Sequence, residues 1–428
     1  MSEEVVLQVL IWSPEEPENR FRAKVEIAPS KFINIVLLYS ERLEGAGRQL
    51  RFRNILYGID ERGIPVTFMM CKKVGGALSW SKSSQDIAHR YKILADFCLH
   101  GCHLSDVNST EFTAASFEMK GFYPWYNKTI EEEEVEFLEK DQYAISDSLN
   151  LVFTYSQTNC LFWGQRQCYK LEPYLRINFT TPQSVSNITD CFLLFCGFLH
   201  LATLQETELW EFKFHTQDHR EIKVSGNFPH LRERGTEEEE ILEYYHYAFS
   251  WKDLSHDELE LLLRNFYSFV REHADGWEQY WAYVNGNASL ESRFLHMARC
   301  LEKFGSILTP SATTNRKKYE ALLERIRNEV TSIGVPFSKQ MINQAVATRN
   351  LLTHGSRDPR HLNDEVTISS KLTALTIELQ RFAYLIIMRE IGFPMERLKI
   401  KHARLVSFHS MSFEMDGADQ QEEQIVDF

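Results

Sequence analysis

From residue 5 to about residue 222 the apolar positions fall in short runs of strand length, among them VVLQVLIW, FRAKVEIA, INIVLLYS, IPVTFMM, LNLVFTY and EFKFH, separated by turn-rich breaks. Runs of this length, rich in β-branched and aromatic residues, predict a β-rich region. GIDERG, residues 58–63, predicts a hairpin connection, because a glycine at either end tolerates the positive φ of a tight turn. Residues 188–204 depart from the strand pattern and predict one helix, and the acidic run 131–134 predicts a solvated loop or a helix start. The stretch GNFPHLRERGTEEEE, residues 226–240, has Gly, Pro and charge without apolar periodicity and marks a boundary.

Beyond it the period changes to that of a helix. Ser255 and Glu258 stand at capping-box spacing before Leu259, Leu262, Leu263, Phe266 and Val270. Four segments then carry apolar residues every three or four positions. The first has Leu290, Phe294, Met297, Leu301, Phe304 and Leu308, and the second Tyr319, Leu322, Leu323, Ile326 and Val330. The third, capped by Ser338, has Ile342, Ala345, Val346 and Leu352. The fourth has Ile368, Leu372, Leu375, Leu379, Phe382 and Ile386, with Gly392 and Pro394 as stop signals. The expectation is an α+β chain in which a β-rich part is followed by a helical connector and a four-helix bundle.

Composition adds that 428 residues, 43% hydrophobic and 25% charged, suit a soluble globular protein of two or three domains. Two acids near the start stand where a secretory signal needs positive charge, so secretion is not expected. The longest apolar stretch, 191–204, contains His200 and falls short of the ~20 residues that span a bilayer. Eight scattered cysteines fit reduced, buried thiols, and the expected location is the cytoplasm. The net charge of −13 is unevenly distributed: residues 288–413 hold 19 Lys and Arg against 11 Asp and Glu, while the last 15 residues hold 6 acids and no base. A basic helical part on an acidic chain is compatible with a polyanionic substrate held at one end.

The third helical segment closes on Arg349-Asn350-Leu351-Leu352-Thr353-His354-Gly355. Asn350 and His354 are four apart and share a helix face, with Arg349 beside it. Cleaving RNA without metal requires a proton to leave the 2′-hydroxyl, a proton to reach the leaving oxygen, and stabilisation of charge on the five-coordinate phosphorus. Histidine, with an unperturbed pKa of ~6.5, can perform both proton transfers. The planar, permanently charged guanidinium of arginine suits the third task. Asn350 can orient His354 or bind a phosphate oxygen.

This stretch, at the end of the third helix of a four-helix unit, resembles the HEPN pattern of Arg, a polar residue, further residues and His. The resemblance implies a metal-independent endoribonuclease with catalytic Arg349, Asn350 and His354, no cofactor, and a homodimer in which two motifs line one cleft. Three N-terminal stretches, 54–67 (NILYGIDERGIPVT), 117–125 (FEMKGFYPW) and 198–203 (FLHLAT), resemble the N-terminal domain of ApeA-type bacterial antiphage proteins. That likeness covers most of the chain. It implies a nuclease released by phage infection, with a phage protein as candidate trigger, that cuts host RNA, with tRNA as the class, and aborts infection. The expected parts are a sensor or regulatory domain at 1–225, a helical connector at 238–287, the HEPN domain at 288–413 and an acidic disordered tail at 414–428.

Other residues leave alternatives open. Arg316, Lys317 and Lys318 open the second helical segment, and Arg357, Arg360 and His361 follow the motif; all six are candidates for holding RNA phosphates, or ordinary solvated surface. Glu291 is a candidate resting partner for Arg349. The acidic tail, by its charge, is a candidate competitor for the basic face. Cys98, His100, Cys102 and His103 cluster in sequence without a second Cys-x-x-Cys pair, so buried thiols and surface histidines are expected there rather than metal. The alternative reading of the whole chain is a non-catalytic interaction protein, whose bundle only dimerises and whose β domain binds a protein or saccharide.

Overall fold

The computed structural model describes residues 5–28, 31–38, 50–79, 88–119, 122–126, 141–160, 168–205, 207–229, 231, 247–286, 288–328, 337–354 and 365–398. The chain divides into two compact units, Met1–Cys196 with Thr207–Ile241, and Gly197–Glu206 with Leu242–Phe428.

The first unit is β-rich, as its alternating runs predict. Its strands among the described residues are β1 (Val5–Trp12), β2 (Phe21–Ile27), β3 (Ile33–Leu38), β4 (Ile55–Asp60), β5 (Pro65–Met69), β6 (Lys72–Ser79), β7 (Ala88–Ala95), β8 (Phe97–His100), β9 (Phe112–Met119), β10 (Asp141–Ser146), β11 (Leu149–Cys160), β12 (Cys168–Gln183), β13 (Leu209–Thr216) and β14 (Glu221–Gly226). They form one antiparallel sheet in the order β10-β11-β12-β9-β13-β14-β8-β5-β4-β1-β2-β3-β7-β6. The period of two turns Ala23, Val25 and Ile27 of β2 to the same side as Val9 and Ile11 of β1 and Ile33, Ile35 and Leu37 of β3. With Leu56, Val66 and Phe68 these residues make one core.

The predicted hairpin joins β4 to β5, and its two glycines serve different ends. Gly63 adopts φ +81, the left-handed turn conformation. Gly58 lies within β4, where a Cβ would come 2.6 Å from Val9 Cγ1, so close packing rather than a turn dihedral requires it. Asp60 ties the turn, accepting from Arg62 N at 2.9 Å and Ile64 N at 2.8 Å. Burial pushes its carboxyl up, but these bonds and the Arg62 guanidinium outweigh that and hold it below the usual range.

After β9 the chain makes a short helix, α1 (Phe122–Trp125), which the periodicity does not announce. Phe122, Trp125 and Tyr126 are buried and pack around Phe153. The helix expected at 188–204 is α2 (Val185–Thr203). At 19 residues it exceeds the apolar run read from the sequence, and by length and composition it could cross a membrane; 61% of its most apolar window is buried inside the protein. Five cysteines of the chain, Cys71, Cys98, Cys102, Cys196 and Cys300, are buried free thiols, and burial pushes Cys71 and Cys102 up to about 12.

The second unit is helical: α3 (His256–Glu272), α4 (Ala274–Asn285), α5 (Leu290–Leu308), α6 (Asn315–Arg325), α7 (Lys339–His354) and α8 (Glu365–Glu390). Ser255 and Glu258 form the expected capping box on α3. Ser338 accepts from Met341 N at 3.1 Å, as its capping role requires. The four predicted helical segments are α5 to α8. They share their unit with α3, α4 and the last turns of α2: Tyr384 of α8 donates to the Leu201 carbonyl, and Phe198 packs edge-on to Phe266 of α3.

Candidate functional site

Amphipathic α5 buries Phe294, Met297, Leu301 and Phe304, and between them Ala298 and Gly305 are also buried. These small residues mark a face on which neighbouring helices come close. A Cβ added at Gly305 would lie 2.6 Å from Lys318 Cβ on α6, so only glycine allows this approach. Thr314 caps α6 by accepting from Lys317 N at 3.3 Å. Below them Tyr319 is fully buried and donates to the Ala298 carbonyl at 2.9 Å.

Glu302 stands on this face, one turn after Ala298 and just before Gly305, and Arg349 of α7 reaches it. Arg349 Nε donates to Glu302 Oε1 at 2.8 Å and Nη2 to Oε2 at 3.3 Å, a side-on bidentate pair. The side chains are 20% and 14% exposed, so the pair is largely withdrawn from water. Asn315, in the first turn of α6, donates to the same Glu302 Oε1 at 2.8 Å. Three helices thus fix one guanidinium: α7 carries it, α5 orients it and α6 holds the orienting carboxylate.

The remaining predicted residues distribute around this pair. Asn350 follows Arg349 and is exposed, and His354 is the last residue of α7, with its imidazole outside the described part of the structure. Thr353 bonds back to the Arg349 carbonyl at 2.8 Å. Lys317 is exposed, and Lys318 Nζ donates to Ser306 Oγ at 2.8 Å. Arg357, Arg360 and His361, and the acidic tail, lie outside the described residues. A cleft of about 440 Å³ opens beside the pair, with Glu302 on its wall and Arg271, Lys303, Ser306 and Lys318 around it.

One expectation needs correction. Arg349 pairs with Glu302, not Glu291, which is exposed at the far end of α5; eleven residues of helix separate them by roughly 16 Å. The Cys98–His103 segment spreads its side chains: Cys98 Sγ contacts His100 Nε2 at 3.1 Å, while His103 stacks on Tyr57 and bonds the Gly58 carbonyl. Among the described residues no group of three or more His, Cys, Asp or Glu is placed to hold a metal ion.

Sequence reasoning missed Glu302 and Asn315. The signal for Glu302 was present, since an acid flanked on its own face by Ala298 and Gly305 sits where helices meet and needs a partner there. Asn315 carries no comparable mark.

Comparison with known families gives two matches. A model described as ApeA N-terminal domain 1 matches residues 7–265, and one described as Apea-like HEPN matches residues 240–397. No curated protein and no solved structure matches the chain.

Proposed function

The chain belongs to the ApeA-type HEPN proteins, and from that membership and the geometry around Arg349 we propose that it is a metal-independent endoribonuclease of antiphage defence. It cleaves host RNA, tRNA being the class, in the cytoplasm, and the N-terminal unit senses infection or restrains the nuclease. HEPN domains are typically ribonucleases that bind RNA and commonly dimerise, so the active form is a homodimer with two motifs at one cleft.

In the proposed reaction His354 takes the proton of the 2′-hydroxyl, and the 2′-oxygen attacks phosphorus. The bond to the 5′-oxygen breaks, and a histidine, from the same or the second copy, protonates that oxygen. The products are a 2′,3′-cyclic phosphate and a 5′-hydroxyl. Arg349 stabilises the phosphorane oxygens, and Asn350 orients His354 or a phosphate oxygen. Lys317, Lys318, Arg357, Arg360 and His361 hold the flanking phosphates.

The observation that carries this reading is the pinned guanidinium of Arg349, five residues before His354 on the same helix. A preoriented, largely buried arginine contributes to a transition state without first having to be ordered. The test is RNA cleavage in EDTA by wild-type protein, Arg349→Ala and His354→Ala. Each substitution is expected to lower the rate by about 10²–10⁴-fold. Wild-type rates in either variant would refute the assignment.

A further inference from the structure

The register of the sheet places Arg176 (β12), Ser116 (β9), Lys213 (β13) and Lys223 (β14) opposite one another in a single cross-strand row. Adjacent strands are ~4.8 Å apart, so the long side chains flank the short Ser116 and leave a depression above it. The resulting cleft holds about 210 Å³, the scale of a small ligand. Ser116, Arg176, Lys213 and His215 line it together with three carboxylates, Glu118, Glu211 and Glu221.

The charges of this row are not evenly matched. Glu211 takes both lysines, at 3.0 Å from Lys213 Nζ and 3.6 Å from Lys223 Nζ, and Lys213 also lies 3.9 Å from Glu221. Arg176 has no carboxylate partner among the described residues: its Nε donates to Asn178 Oδ1 at 2.9 Å, which fixes the plane of the guanidinium. At the floor, His215 contacts Ser116 Oγ at 2.9 Å and is only 7% exposed. An oriented, half-buried cation beside a buried imidazole and a hydroxyl is a constellation that an oxyanion completes.

We propose that this cleft binds a small molecule through a carboxylate or a phosphate monoester, with Arg176 as its charge partner and Ser116 and His215 as hydrogen-bonding groups. Glu118, Glu211 and Glu221 in the lining leave room for one anionic group against Arg176 and disfavour a multiply charged polyphosphate. The site stands independently of RNA cleavage and gives the N-terminal unit a small-molecule input.

His215 supplies an internal reporter. Burial holds its pKa down to about 4, helped by Arg176 and Lys213 and by His219, and opposed by Glu221. An anion bound against Arg176 cancels part of that positive field and raises the value toward 6.5. The experiment follows the His215 ring by NMR in the full chain, assigned through His215→Gln, while inorganic phosphate or acetate is added. The expected result is a saturable shift with at least one probe, a higher His215 pKa in the bound form, and at least tenfold weaker binding in Arg176→Gln. Phosphate alone would narrow the class to phosphate monoesters, and acetate alone to carboxylates. Ser116→Val, which fills the floor without altering charge, is expected to abolish the response and serves where Arg176→Gln does not fold. No saturable shift with either probe, or undiminished binding in the folded variants, would overturn the proposal.

Discussion

In the proposed reaction a guanidinium serves the phosphorane best when it is already oriented, and the orientation of Arg349 comes from Glu302. Removing the carboxylate leaves a largely buried arginine without this partner. Glu302→Ala is therefore expected to destabilise the second unit by about 2 kcal/mol, less than the roughly 3–5 kcal/mol of a fully buried pair, and to lower cleavage as well. Arg349→Lys keeps the charge but loses the fork, and is expected to lose about 10²-fold in rate. Urea midpoints alongside rates separate the two effects; a lysine variant as active as wild type would show that charge alone suffices. The spacing of Arg349, Asn350 and His354 was legible because a helix has a fixed period. The partner of Arg349 was not, because it lies 47 residues away and depends on how three helices meet.

At the scale of elements, the site depends on how closely α5 and α6 approach at Gly305. Gly305→Ala would push the Lys318 backbone away and carry Asn315 off Glu302. The expected cost is about 1–3 kcal/mol by thermal unfolding, with cleavage reduced; an unchanged melting temperature would mean the helices have room to spare. Most elements were visible from periodicity and caps, since both signals are local. Two departures have physical causes. The Gly58 position is set by Val9 and Phe68 on neighbouring strands, which no local pattern reports. The second half of α8 was read as one apolar stripe, yet Phe382 to Met388 is buried on every face, because neighbouring elements cover it from several sides.

For the molecule as a whole, the segregation of charge and the change of hydrophobic period together separated a β-rich part from a basic helical one, and the two family matches follow the same order along the chain. The extent of the second unit was less legible: α3, α4 and Gly197–Thr203 of α2 share a compact body with α5 to α8, and membership of that body is decided by long-range packing such as Tyr384 on Leu201. The proposed reaction is 2′-hydroxyl attack on RNA directed by Arg349 and His354 with no metal. Its most direct test is the chemistry of the ends left when the intact protein cuts RNA in EDTA, with and without phage lysate. The expected ends are 2′,3′-cyclic phosphate and 5′-hydroxyl in at least one of these conditions. Ends with a 3′-hydroxyl and 5′-phosphate, cleavage that appears only when divalent metal is restored, or no cleavage in either condition would contradict it.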